Sequence, residues 1–221
     1  MTRECHPASD SVSPAEASKA GDAVEPFVQA DYCASKGGCA VFPVGTQDFF
    51  DFRVLGNIAK FIAFLKVNNP SVDVTALAAQ FLLPDSGLKI PDIMTHQPPD
   101  RFEFYEIKPN STSGRAEGLK KVLALTAFCG LNKLPYVAGL RYNPDSFIPI
   151  FIQHVGFTDV EITLHFFKGG PGLILWEICS EAKEKTFPEF LRILVPQIIL
   201  LAILAIAEAL ATPVPKPVPA P

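Results

Sequence analysis

Three side chains within one stretch could share a reaction: Asp92 in Ile90-Pro91-Asp92-Ile93, then Glu106 and Lys108 in Tyr105-Glu106-Ile107-Lys108-Pro109. Two carboxylates brought together repel each other, and a divalent cation relieves that repulsion. Mg2+ suits them best, with Mn2+ as a substitute, because it takes oxygen ligands, keeps several waters and accepts phosphate oxygens. The backbone carbonyl of Ile107 could supply a third protein oxygen. A cation held there acidifies water and offsets phosphate charge, while the Lys108 ammonium can orient the water or stabilise charge at phosphorus. The expected chemistry is phosphodiester hydrolysis. Asp92, Glu106 and Lys108 are its candidate catalytic residues, and Asp92, Glu106 and Ile107 its candidate metal ligands.

These residues meet only if two adjacent strands carry them. Residues 88–95 and 102–108 are short apolar and aromatic runs separated by Gln97-Pro98-Pro99-Asp100, which reads as strand, proline-rich loop and strand. Alternation puts Glu106 and Lys108 on one face with Phe102 and Phe104, and Tyr105 and Ile107 on the other. Ile90, Asp92 and Met94 share a face, so antiparallel pairing would carry Asp92 toward Glu106. Each motif alone has an ordinary reading, Glu-x-Lys as a solvated pair and Pro-Asp as a turn. Their order and matching strand positions favour a shared role.

The flanking elements follow from periodicity. Val54, Leu55, Ile58, Phe61, Ile62 and Leu65 recur at helical steps over 52–67, and Asn68-Asn69-Pro70 ends that helix. Ser71 or Asp73 can cap a second helix reaching Phe81. After Asn110-Ser111-Thr112-Ser113-Gly114 a third helix is expected, with Leu119, Val122, Leu123 and Thr126 on its apolar stripe and Cys129-Gly130 at its end. Ser113 at its start and Lys120 or Lys121 along it are candidates for holding a substrate phosphate. Capping, and surface pairing with Glu117, are the plainer readings of the same residues. Further strands are expected at 135–142, 147–155, 160–167 and 173–179, with Trp176 in the core. The histidines His6, His96, His154 and His165 are dispersed; His96, just after Asp92, is the one placed to touch substrate.

The two ends differ in character. Residues 1–26 are rich in Ala, Ser, Pro, Asp and Glu and are expected to be disordered, and 27–51 to be irregular. Residues 193–207 are apolar apart from Gln197 and would reach about 23 Å as a helix, short of a hydrocarbon core of about 30 Å. Extended to 191–211 the segment could contact or cross a membrane; otherwise it is buried or covered by a partner. Residues 212–221 read as a polyproline tail. A net charge of −4 excludes gripping nucleic acid by bulk charge alone. Five cysteines form no CxxC pair and no zinc spacing with histidine, so reduced thiols are expected, with Cys33 and Cys39 able to close a loop under oxidising conditions. The first residues contain no apolar run, so no secretory signal peptide is expected.

Ile90-Pro91-Asp92-Ile93, then Tyr105-Glu106-Ile107-Lys108-Pro109-Asn110-Ser111, a glycine and a basic amphipathic helix resemble the PD-(D/E)xK, or restriction-endonuclease-like, nuclease superfamily. They are most similar to nuclease toxin domains of bacterial polymorphic and type VI secreted effectors. The resemblance covers about residues 52–142. It implies an α/β (α+β) fold whose core runs helix-strand-strand-helix-strand, here with additional C-terminal strands and a C-terminal apolar helix. A nuclease-like domain would then span 27–185, followed by the apolar helix at 186–211. It implies metal binding by Asp92 and Glu106, catalysis by Lys108, and a Mg2+-dependent endonuclease acting on nucleic acid, with DNA expected. Little base selectivity is expected, since nothing in the set reads base edges. As a delivered antibacterial effector, the protein would reach a target cell's cytoplasm without a signal peptide and would have a cognate immunity protein; a plain cytoplasmic protein fits the same ends. A second class is a membrane-associated toxin or interaction protein acting through 191–211, with a structural or degenerate nuclease-like site.

Overall fold

A computed structural model describes residues 3–7, 14–39, 56–82, 88–155 and 158–182. In chain order these form β1 (Arg3–His6), α1 (Pro14–Ser35), α2 (Gly56–Asn68), α3 (Val74–Leu82), β2 (Ile93–Gln97), β3 (Arg101–Pro109), α4 (Thr112–Leu131), β4 (Val137–Ala138), β5 (Asp145–Val155), β6 (Thr158–Gly170) and β7 (Leu173–Ala182). The class is α+β: a seven-stranded mixed sheet with, among the described residues, four helices.

Strand β3 organises the sheet. One edge pairs antiparallel with β2, from Ile93↔Tyr105 to Gln97↔Arg101. The other edge is parallel to β4 at Glu103↔Val137 and then to β7 from Glu106↔Leu173 to Pro109↔Trp176. A parallel return needs a crossover, and α4 provides the one between β3 and β4. From β7 the sheet continues antiparallel through β6 to β5, while β1 lies along the second half of β7.

Alternation splits the core between two faces. Tyr105, Ile107, Ile174, Trp176 and Ile178 pack with Val24, Val28 and Tyr32 of α1. Phe104, Leu173 and Leu175 pack on the other face with Phe61 and Leu65 of α2, Leu77 of α3 and Val122 and Leu125 of α4. Glu106 and Lys108 fall on the α4 face, as the strand pattern predicts. Helix α3 is capped by Asp73, whose Oδ1 accepts from the amides of Thr75 (2.9 Å) and Ala76 (3.3 Å). Ser111 caps α4 by accepting from Gly114 N at 3.0 Å.

Several expectations are corrected. Residues 3–6 are a strand and 14–26 are helical rather than disordered, and 27–35 continue that helix rather than forming irregular chain. The low aromatic content near the N-terminus hides a stripe of Ala20, Val24, Val28 and Tyr32, whose mostly small side chains suffice against a sheet. The strand expected at 88–95 begins only at Ile93. The strand expected at 135–142 shrinks to two residues, because the chain passes close over the Tyr105 ring. A Cβ on Gly139 would lie 2.0 Å from Tyr105 Cζ, and the Tyr105 hydroxyl accepts from Tyr142 N at 2.9 Å.

The buried stripe of α4 is Gly114, Gly118, Val122, Leu125, Phe128 and Cys129, so Leu119 (48% exposed) and Leu123 (68%) face solvent instead, and Thr126 is exposed as well. Glycines let the helix sit directly on β3 and β7. A Cβ at Gly118 would lie 2.5 Å from Leu173 Cδ1 and 3.1 Å from Lys108 Cγ. Gly118→Ala is therefore expected to lower stability by about 1–3 kcal/mol, against the usual helix gain from alanine, as read from the urea midpoint.

Four of the five cysteines are paired rather than reduced: Cys5–Cys179 and Cys33–Cys39, with Cys129 free and buried. Burial in apolar surroundings pushes the Cys129 thiol up to about 12. The apolar segment 191–211 and the proline-rich tail 212–221 lie outside the described residues, as do 40–55. Among the described residues, no helix is long and apolar enough to cross a membrane.

Candidate active site

Asp92 immediately precedes β2, and continuing the β2–β3 register would set it opposite Glu106, with Pro91 opposite Ile107. The ladder does not continue. Asp92 Oδ2 instead accepts the Ile107 amide at 2.7 Å, taking the donor that a longer β2 would have used. Its backbone carbonyl accepts from Gln29 Nε2 of α1 at 3.1 Å. Asp92 is therefore fixed at both ends and is only 4% exposed.

Glu106 is fully buried. Its Oε1 accepts from Lys108 Nζ at 3.0 Å and from Lys121 Nζ of α4. Its Oε2 is buried with no hydrogen-bond partner among the described residues. A buried carboxylate oxygen without a donor is costly, and a hard cation would satisfy it. Glu106 N donates to the carbonyl of Gly172, just before β7, and Asn110 N to that of Trp176 within it. The amide and carbonyl of Ile107, between them, turn to the opposite edge and the Asp92 side, where the carbonyl can serve as an oxygen ligand.

The charges make one coupled group. Burial raises the pKa of Asp92 well above its ordinary 3.8, with Glu106 and then Glu25 of α1 adding repulsion while Lys121 and Lys108 oppose it. Burial alone would lower the pKa of Lys108, but Glu106 and then Asp92 outweigh it and raise it. Lys108 therefore stays an ammonium at neutral pH and acts through its charge, not as a base. Glu117 lies 3.7 Å from it on the solvent side.

The fold thus assembles Asp92, Glu106, Lys108 and the Ile107 backbone, together with Lys121. Lys121 pairs with the Glu106 carboxylate itself. Lys120 is exposed on α4, and Ser113 lies 3.3 Å from the capping hydroxyl of Ser111 rather than on either carboxylate. His96 is an aromatic packing residue: its Nδ1 is 2.9 Å from the Tyr136 hydroxyl and its ring centroid 4.9 Å from that of Phe102. Burial lowers its pKa.

Glu25 and Gln29 escape sequence reasoning because they lie in the segments expected to be disordered or irregular. The readable signal was their spacing of four beside Val24 and Val28, which puts both on one helical face.

Comparison with family models, with curated proteins and with solved structures finds no match to this chain.

Proposed function

We propose that the chain is a Mg2+-dependent endonuclease of the PD-(D/E)xK, restriction-endonuclease-like type, hydrolysing phosphodiester bonds with DNA as its substrate. The observation that carries this reading is the state of Glu106. One oxygen holds two ammonium groups, the other has no partner among the described residues, and the carboxyl of Asp92 beside it is held back from ionising. A structural ion pair would leave no oxygen idle and would need no second acid. Asp92, Glu106 and the Ile107 carbonyl would hold the cation. When bound, that cation supplies charge neutralisation at the phosphate and acidifies water. Asp92 would hold the cation as a carboxylate, and its Oδ2, which accepts the Ile107 amide, would fix the ligand's direction. Lys108 stays charged and stabilises the extra negative charge at phosphorus. Lys121 offsets Glu106 and shares that charge when phosphate enters.

The delivered-effector reading rests on the resemblance of the motifs. The two disulfides suit a protein that spends part of its life in an oxidising compartment, which favours export over a purely cytoplasmic life. An immunity protein for this site would place acidic groups against Lys108 and Lys121.

The direct test is supercoiled plasmid incubated with the purified protein in Mg2+ or in chelator, beside Lys108→Ala. Nicking that needs Mg2+ and falls at least about 100-fold in the variant is expected. Equal cleavage in chelator, or by the variant, would remove the proposal.

A pH signature accompanies it. Because the folded pKa of Asp92 is raised, its contribution to stability is full below about 3.8 and is lost as pH rises through the raised value. A cation takes the place of that proton. Mg2+ binding is therefore expected to release protons between these two limits and to tighten with pH across the same window. Calorimetric titrations in buffers of different ionisation enthalpy measure the release.

A further inference from the structure

The sheet face beyond α4 carries a second cluster of chemistry-bearing side chains, independent of the nuclease reading. Strand β7 presents Glu177 and Cys179 two residues apart, on the same face as Leu173 and Leu175. Strand β6 sets His165 opposite Glu177, and β1 sets Cys5 opposite Cys179. One ligand atom from each of these four residues lies within 4.8 Å of the other three. Cys179 is buried, and Cys5, His165 and Glu177 are partly buried.

His165 is held as a ligand would be. Its ring stacks on Phe147 at 4.0 Å and on Phe167 at 4.9 Å between centroids. Nδ1 is 2.9 Å from Glu177 Oε1, and Nε2 is 3.0 Å from Asp145 Oδ1. A neutral imidazole has one N–H and so donates to only one of these two carboxylates, leaving its other nitrogen able to ligate. In the reduced protein a cation among Nδ1, Glu177 and the two sulfurs would take over the Nδ1 contact, while Nε2–H donates to Asp145 as the orienting carboxylate. The remaining Glu177 oxygen accepts from Asn110 Nδ2, which holds that carboxylate in place.

We propose that reduction of the Cys5–Cys179 disulfide turns this cluster into a binding site for a thiophilic divalent cation of the Zn2+ class. Its ligands are both sulfurs, His165 Nδ1 and Glu177. A dithiol reductant delivers two electrons, breaks the S–S bond and leaves as its own disulfide, giving two thiols. Binding then forms two metal–sulfur bonds and releases two protons to solvent. Two thiolates, an imidazole and a carboxylate make a tetrahedral zinc donor set with bonds of about 2.0–2.3 Å, so once the S–S bond is broken the two sulfurs need to separate by about 1–2 Å while the more distant donor atoms close in by roughly an ångström. The cation would keep the four-residue strand β1 tied to β7 after the covalent tie is lost. The same strand is thereby clamped in oxidising and in reducing compartments.

The test uses the full chain with Cys33→Ser and Cys39→Ser, which removes the other dithiol. This protein is reduced with a phosphine, freed of it without air, and titrated with Co2+ as a spectroscopic substitute for Zn2+. The expected result is one Co2+ per chain showing thiolate charge-transfer and tetrahedral bands, displaced by Zn2+ and absent from the disulfide form. Cation at the carboxylate site gives no thiolate band, so the two sites are read separately. Cys179→Ser should remove most of the thiolate band. Asp145→Asn, which leaves every ligand in place, should weaken binding about 10- to 100-fold. No thiolate band in the reduced protein, an equal band in the disulfide form, or binding unchanged by both variants would each overturn the proposal.

Discussion

Asp92→Asn is expected to stabilise the metal-free protein while removing its Mg2+-dependent cleavage. Asparagine keeps an oxygen for the Ile107 amide, so the local structure at the start of β2 survives. It removes a charge that burial, Glu106 and Glu25 all oppose. Above the ordinary carboxylate range the unfolded chain gains more by ionising this aspartate than the folded chain does, and that difference disappears in the variant. Each kcal/mol regained raises the melting temperature of a protein this size by about 2–4 °C. The gain should shrink to nothing as pH falls well below about 3.8, where Asp92 is protonated in both states. Cleavage should fall at least about 100-fold, because a cation ligand contributes several kcal/mol to stabilising charge in the transition state. A residue so costly to stability yet unnecessary for activity would have no explanation here.

Glu106→Gln should also abolish cleavage, but with the opposite effect on stability. Glu106 is the acceptor for both Lys108 and Lys121, whose side chains keep only 17% and 14% of their surface in solvent. Removing its charge leaves two poorly hydrated ammonium groups facing each other. Breaking a buried pair costs about 3–5 kcal/mol, and the residual exposure of both lysines puts this case near or below the lower end. The same substitution removes the largest charge acting against Asp92, so the pH dependence tied to that residue should move toward the ordinary carboxylate range. Combining the two substitutions tests whether the acids act as one unit: their stability effects should be non-additive by more than about 0.5 kcal/mol. Denaturant titrations of the four proteins over a range of pH provide the whole cycle.

These opposite signs come from a fold that was partly legible in the chain. The hairpin and the facing of Glu106 and Lys108 were readable because strand alternation and adjacent antiparallel pairing are local rules. A cap at Ser71 or Asp73 was readable for the same reason, and Asp73 is the one that fills it. Strand β2 starting at Ile93 was not, since it depends on the Asp92 side chain claiming the Ile107 amide. The buried face of α4 was misjudged because its contact residues include Gly114 and Gly118, which carry no hydrophobic signal and are chosen for closeness to Pro109 and Leu173. Helix α1, with Glu25 and Gln29, was lost to a composition that resembled disorder. The pairing of Cys5 with Cys179 spans 174 residues and brings His165 and Glu177 with it, a relation that no local spacing carries.

Everything proposed for this site depends on Asp92, Glu106 and Lys108 meeting around one cation. Calorimetric titration of the metal-free protein with Mg2+, beside Asp92→Asn and Lys108→Ala, tests it most directly. Saturable binding by the parent protein with proton release is expected, lost in Asp92→Asn and retained in Lys108→Ala without cleavage. Binding of equal strength in Asp92→Asn, or none in the parent protein, would contradict it.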